Sequence, residues 1–215
     1  MVEIPLFPLN TVLFPGIPLH LHIFEERYKL MLQHCINNDA LFGVVLIRKG
    51  QEALGKLAEP YEIGCTARIL QVDTLSDGRM NILAQGGERF RILSLDYRLP
   101  YLVGDIERLP MPDSDPPDVD SLLPIVKSYI EMLGQIMPDD LDTSAINFPD
   151  DPVLNLNLSA SVLQLPDMEK QNLLSVQDAN ELYMQLLRLY KRELRVFNQL
   201  KDVPKKQVRR LVRLN

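Results

Sequence analysis

Alternating apolar and polar positions mark the first half of the chain, and helical spacing marks the second. In Ile63-Gly64-Cys65-Thr66-Ala67-Arg68-Ile69 most odd-numbered residues are apolar and Arg68 falls on the opposite side, the period-two pattern of a half-buried strand. Residues 41–47 form a continuous apolar run fit for a fully buried strand. Residues 80–84, 89–93 and 101–106 predict three more strands. Ser76-Asp77-Gly78 is a tight turn before residue 80, and Gly86-Gly87 is a kink or bulge before residue 89. One helix interrupts the strands over residues 25–37. It places Tyr28, Met31, Leu32 and Cys35 at i, i+3, i+4 and i+7, with Glu25 and Glu26 in a first turn whose dipole favours them.

The opening run Ile4-Pro5-Leu6-Phe7-Pro8-Leu9-Asn10-Thr11-Val12-Leu13-Phe14-Pro15-Gly16 combines two apolar stretches with three prolines and a glycine. Each proline lacks an N–H and holds φ near −65°, so the run predicts a short edge strand, a stiff extended turn, and a second strand from about Ile17. It is too short and proline-rich for a membrane span and has no basic flank of a signal peptide.

From Pro110 to Pro117 four prolines replace any apolar pattern, and a domain boundary is predicted there. Helical periodicity follows: residues 121–137, a short helix within 153–165, another opened by Pro166-Asp167 and running to about Leu174, and a long one from Asp178, its N-cap. The apolar stripe of the last helix is Tyr183, Leu186, Leu187, Tyr190, Leu194 and Phe197. The expected organisation is a β-rich part over 1–109, a linker over 110–117 and a helical part over 118–215, an α+β chain.

Charge refines this picture. The net charge is −6, but from Asp178 onward ten Lys/Arg face four Asp/Glu, so the preceding residues carry −12. An acidic body with a basic tail argues against a general nucleic-acid or membrane binder. The tail's stripe of Arg188, Arg192 and Arg195, continued by Arg209 and Arg210, is the candidate contact for an anionic partner. A solvated helix end is the alternative. Two cysteines without CxxC spacing, Cys35 and Cys65, exclude a disulfide scaffold and a thiolate zinc site and point to a reducing, cytoplasmic setting.

Candidate chemistry is sparse. No GxxxxGK[ST] and no GxGxxG joins a strand to a helix, no serine sits in GxSxG, and Lys127-Ser128 point in different directions on a helix. No enzyme activity, cofactor or metal is expected. His20 and His22 share one strand face but lack an evident third ligand. They read as the polar side of a strand whose Leu19, Leu21 and Ile23 face the core. Glu25 and Arg27, candidates for ligand contact, read as helix-start electrostatics with Tyr28 packing.

Four stretches together resemble the N-terminal substrate-binding domain of the ATP-dependent protease Lon. They are Pro5 to Gly16, against the family's "PLFPL…VLFPG"; Leu21-His22-Ile23-Phe24-Glu25-Glu26-Arg27-Tyr28; Gly64 to Arg91, with Asp77-Gly78-Arg79 and Gly86 to Phe90; and Leu165-Pro166-Asp167 with Lys170-Gln171-Asn172-Leu173-Leu174. The resemblance implies a PUA-like β pseudo-barrel followed by a helical bundle, with no catalytic residue to carry over. It further implies a stand-alone, non-enzymatic module that binds unfolded or apolar polypeptide and lacks the ATPase and protease parts. Docking onto a Lon-type protease, self-association, and nucleic-acid binding through the basic helix are the alternatives. Leu13, Phe14 and Pro15 are the candidate peptide-binding rim, with Phe14 as plain core the competing reading.

Overall fold

The computed structural model describes residues 2–52, 58–111, 117–136 and 147–200. It divides into two compact units: residues 1–110 with 170–175, and residues 111–169 with 176–215. A cut at 110–117 alone would assign 170–175 to the helical part; their contacts assign them to the β part.

The first unit holds β1 (Val2–Leu9), β2 (Pro18–Ile23), α1 (Glu26–Asn38), β3 (Phe42–Lys49), β4 (Glu59–Thr74), β5 (Met80–Asp96) and β6 (Leu102–Arg108). The strands run in the order β2-β5-β4-β3-β1-β6, and β5 also pairs with β6. Strands β5, β4, β3, β1 and β6 therefore close a ring, and β2 adds to the first half of β5. All pairs are antiparallel except β1 with β3.

Closure corrects the expectation of an edge strand at the start: β1 has a neighbour on each side. Its partners overlap only at Leu6. Residues 2–6 pair with β6 and residues 6–9 with β3. Pro5 and Pro8 thus each lie where one side of β1 has no strand partner, so a missing N–H interrupts no ladder.

The sheet buries both faces. Ile4, Leu6, Val45, Phe90, Leu102 and Ile106 meet inside the ring. Gly43 and Gly64 make room there, since a Cβ on either would lie 2.7 Å from the Phe90 ring. On the other face Phe7, Phe42, Val44, Cys65, Ala67, Ile82 and Ala84 pack with Tyr28, Met31, Leu32 and Cys35, the predicted stripe of α1. That helix stops at Asp39, which takes the left-handed conformation (φ 47°).

Gly86-Gly87 does not end a strand. From Ala67↔Gly86 to Cys65↔Arg89, β5 advances three residues while β4 advances two, which is a β-bulge. The Thr66 hydroxyl fills it, accepting from the Glu88 N–H (2.8 Å) and donating to the Glu88 carbonyl (3.1 Å).

The second unit contains a 3₁₀ turn (Val119–Ser121), α2 (Leu123–Ile136), α3 (Pro152–Val162) and α5 (Ala179–Leu200). Helix α4 (Asp167–Ser175) starts in this unit and finishes in the first. Asp151 caps α3 by accepting from the Val153 and Leu154 N–H groups (2.8 and 3.1 Å), and Asp178 accepts from the Glu181 N–H (2.9 Å) as the predicted cap of α5. Tyr129 and Tyr190 cross edge to face at 5.2 Å. Tyr190 donates to the Ser159 carbonyl (2.7 Å), and the Gln164 N–H donates to the Tyr129 hydroxyl (3.1 Å). No helix among the described residues is long and apolar enough to cross a membrane.

Candidate functional site

Most residues that carry the resemblance lie in the first unit, and several of them meet there. Phe7 of the opening run lies 4.1 Å from Tyr28, centroid to centroid. The Arg27 guanidinium sits 4.7 Å from the same tyrosine ring and pairs with Glu25 at 3.0 Å, both side chains being largely buried. Arg27 also donates to the Glu52 carbonyl (3.4 Å), and the Glu52 carboxylate accepts from the Asn10 N–H (3.0 Å). Burial pushes the Tyr28 hydroxyl up to about 12.

The rest of the opening run is pinned to β5. Gly16 N–H donates to the Gly86 carbonyl, and Gly86 N–H donates to the Ile17 carbonyl, both at 2.9 Å. A Cβ at Gly86 would lie 2.2 Å from the Phe14 carbonyl oxygen, which is why this position needs glycine. This docking bears on the candidate rim and favours the competing reading of Phe14 as core. Leu13 and Phe14 are 4 % and 1 % exposed, and Pro15 is half-buried. Held to β5 in this way, Leu13 and Phe14 are core.

The third and fourth motifs meet as well. Arg89, 4 % exposed, donates to the Leu174 carbonyl at 3.1 Å. Gln171 donates to the Ile63 carbonyl at 2.9 Å. Desolvation lowers the pKa of Arg89, and the carbonyls at the end of α4 are the natural counter-dipole for its charge. The quoted motifs are therefore joints of the scaffold. Sequence reasoning linked them by resemblance but had no signal for which residue touches which.

The basic stripe divides. Arg188 and Arg195 are exposed on α5. Arg192 pairs with Glu169 (3.1 Å) and Glu193 (2.9 Å), so its charge is already matched. Arg209 and Arg210 lie outside the described residues. Cys35 and Cys65 are free and buried, and burial pushes their thiols up to about 11 and about 12. Among the described residues no three or more His, Cys, Asp and Glu are grouped to hold a metal ion.

Among the described residues, the outer face of β2, β5 and β4 is exposed and organised. Register sets two rungs across it: His20–Leu83–Gln71 and His22–Asn81–Asp73. They line an open groove of about 340 Å³. His22 shares a hydrogen bond of 2.8 Å with the Asn81 side-chain oxygen and one of 3.3 Å with Arg79, which pairs with Asp77 at 2.7 Å. Gln71 donates to Asp73 (3.0 Å). A second bulge brings Gln71 and Asp73 to this face. Between Ile69↔Ala84 and Gln71↔Leu83 the extra residue is Leu70, which stands 55 % exposed. The sequence assigned His20 and His22 to a polar strand face, and they lie there. It missed their partners because the bulge inverts the alternation of β4 after Ile69.

The groove offers amides, imidazoles, a carboxylate and one central leucine, so hydrogen-bonding groups stand beside shallow apolar surface. The protein is thus an α+β chain with a closed β ring, a helical unit and an open mixed-polarity sheet face. It belongs to the family of the substrate-binding domain of the ATP-dependent protease La (LON), whose model matches residues 3–192. It is 32 % identical to the Lon protease of Parabacteroides distasonis over 88 % of this chain and 24 % of that one. It is 26 % identical to the Lon protease of Escherichia coli K12 over 96 % of this chain and 27 % of that one. The chain spans about a quarter of the length of the curated relatives it matches. The crystal structure of a Lon N-terminal domain protein from Xanthomonas campestris matches with a TM-score of 0.67 and 26 % identity, over 87 % of this chain and 98 % of that one. The N-terminal domain of a Mycobacterium avium complex Lon protease shares the fold, with a TM-score of 0.61 at 15 % identity, over 88 % of this chain and 98 % of that one.

Proposed function

We propose that the chain recognises polypeptide, holding unfolded or apolar segments without cutting them. The observation that carries this reading is membership of a substrate-binding family, together with similarity to Lon proteases, enzymes that act on polypeptide chains. The open face of β2, β5 and β4 supports it, because it presents an exposed groove of mixed polarity while Leu13 and Phe14 are buried. Two free buried thiols fit a reducing, cytoplasmic setting.

The test is fluorescence anisotropy of a labelled, permanently unfolded client, such as reduced and carboxymethylated α-lactalbumin, titrated with the full chain. Saturable binding is expected, and Leu83→Asp on the groove floor weakens it. No binding of several unrelated unfolded clients overturns the reading. Docking on a Lon-type protease is the second reading, favoured by the fact that the matching region is one part of much longer proteases. A pull-down of such a protease by the folded chain, without any client, separates the two.

A further inference from the structure

We propose that the free edge of β2 is a strand-addition site that takes an uncharged, β-prone stretch of an unfolded polypeptide. This rests on the polypeptide-binding reading and specifies its mode. Two hydrogen bonds fix which backbone groups the edge presents. The Gly86 N–H donates to Ile17 (2.9 Å), and the Arg79 carbonyl accepts from Leu75 (2.8 Å). Backbone direction alternates along a strand, so even-numbered residues of β5 from 80 to 86 face β2 and odd-numbered ones face β4. In the β2–β5 register the partners of 84, 82 and 80 are Leu19, Leu21 and Ile23. The N–H and C=O groups of His20 and His22 therefore point away from the sheet. No strand pairs with that side of β2 among the described residues. Pro18 points the same way and has no N–H, which agrees with the assignment and marks where the usable edge begins.

Exposed edges are usually guarded by lysines, inward charges, bulges or short length. From Pro18 to Phe24 the sequence Pro-Leu-His-Leu-His-Ile-Phe contains no carboxylate, lysine or arginine. The pairing of β2 with β5 has no register shift. His22 contacts Arg79 at one ring nitrogen and the Asn81 oxygen at the other, while Arg79 is matched by Asp77. Leu19 and Leu21 are partly buried against the core and Phe24 is 49 % exposed. The electrostatic complement of a neutral edge is a neutral segment, since a charged residue beside Leu19 or Leu21 loses hydration and finds no counter-charge. The segment that fits is about five residues long and alternates, with apolar side chains beside Leu19 and Leu21 and small polar ones beside His20 and His22. Such stretches are buried in folded proteins and exposed in unfolded ones.

The probe is a fluorescein-labelled six-residue peptide alternating Val and Thr, titrated with the full chain. Two copies are N-methylated, one at the Val positions and one at the Thr positions. Strand addition expects one copy to bind about tenfold or more weakly, because its methyl groups replace the donors facing β2, and the other to bind within about threefold. His20→Pro, which removes an outward N–H, is expected to weaken the unmodified peptide about tenfold. If that variant fails to fold, the methylated pair still decides. Equal effects of the two methylation patterns overturn strand addition. A client that binds wild type and His20→Pro equally overturns it while leaving polypeptide binding intact, whereas a client that binds neither refutes the underlying reading. Concentration-dependent dimers lost in His20→Pro, with no peptide binding, assign the edge to a second copy and also overturn the proposal.

Discussion

Gly86→Ala tests whether the opening run is scaffold or binding rim. The new Cβ lies 2.2 Å from the Phe14 carbonyl oxygen and 3.1 Å from its carbon, both backbone atoms. The same oxygen accepts from the Ile17 N–H (3.2 Å), so a turn holds it in place. Relief requires the run to lift from β5, which breaks the two 2.9 Å hydrogen bonds between Gly86 and residues 16 and 17 and exposes Leu13 and Phe14. Two backbone hydrogen bonds and the overpacking strain together amount to about 3 kcal/mol. For a chain of this size that lowers Tm by about 6–12 °C. Thermal melts followed by circular dichroism provide the measurement. Client affinity at 15 °C, where the variant is still folded, should stay within about twofold. A Tm within 2 °C of wild type refutes the packing argument, and a large loss of affinity at unchanged Tm restores Leu13, Phe14 and Pro15 as a binding rim.

Three further outcomes follow from the same contacts. Arg89→Met removes the charged donor from the Leu174 carbonyl and should destabilise the β unit by about 2 kcal/mol, read as a lowered urea midpoint; an unchanged midpoint would mean the joint carries no stability. Cys35 and Cys65 should resist a thiol reagent at pH 8 in the native protein and react fully in guanidinium, since burial raises both thiols well above that pH; rapid native labelling would contradict their burial. Tyr28 and Tyr129 keep their protons to about 12 when folded but lose them near 10 when unfolded. The unfolded state therefore sheds protons first, and stability should be full below pH 10 and fall as pH rises from 10 towards 12. Tyr28→Phe should make the fall of the urea midpoint shallower, and an identical pH profile in that variant would refute the assignment.

Local pattern reading recovered most elements because their burial is periodic. The stripe Tyr28, Met31, Leu32 and Cys35 is buried on α1, and Asp178 caps α5 as its position suggested. Three features escaped because they depend on partners distant in sequence. The prolines of β1 suggested an edge, yet each sits where one of two neighbours has stopped pairing. Gly86-Gly87 read as a kink or bulge and is a bulge, but nothing local showed that β5 runs through it unbroken or that Thr66, on another strand, fills it. Leu70 carries no mark that it is an extra residue, so the move of Gln71 and Asp73 to the face of His20 and His22 was not legible. The motif residues were the most recognisable part of the chain, and they proved to be its internal joints. The exposed groove takes His22 from the second motif stretch, but no motif showed which residues of β4 and β5 would stand beside it.

Hydrogen–deuterium exchange of the full chain, with and without a saturating unfolded client, tests polypeptide recognition at the β2 edge most directly. Client binding should slow exchange at the amides of His20 and His22, with little change over residues 11–16 and none at Arg188 or Arg195. Protection over residues 11–16 or along α5, with β2 unchanged, would contradict the account.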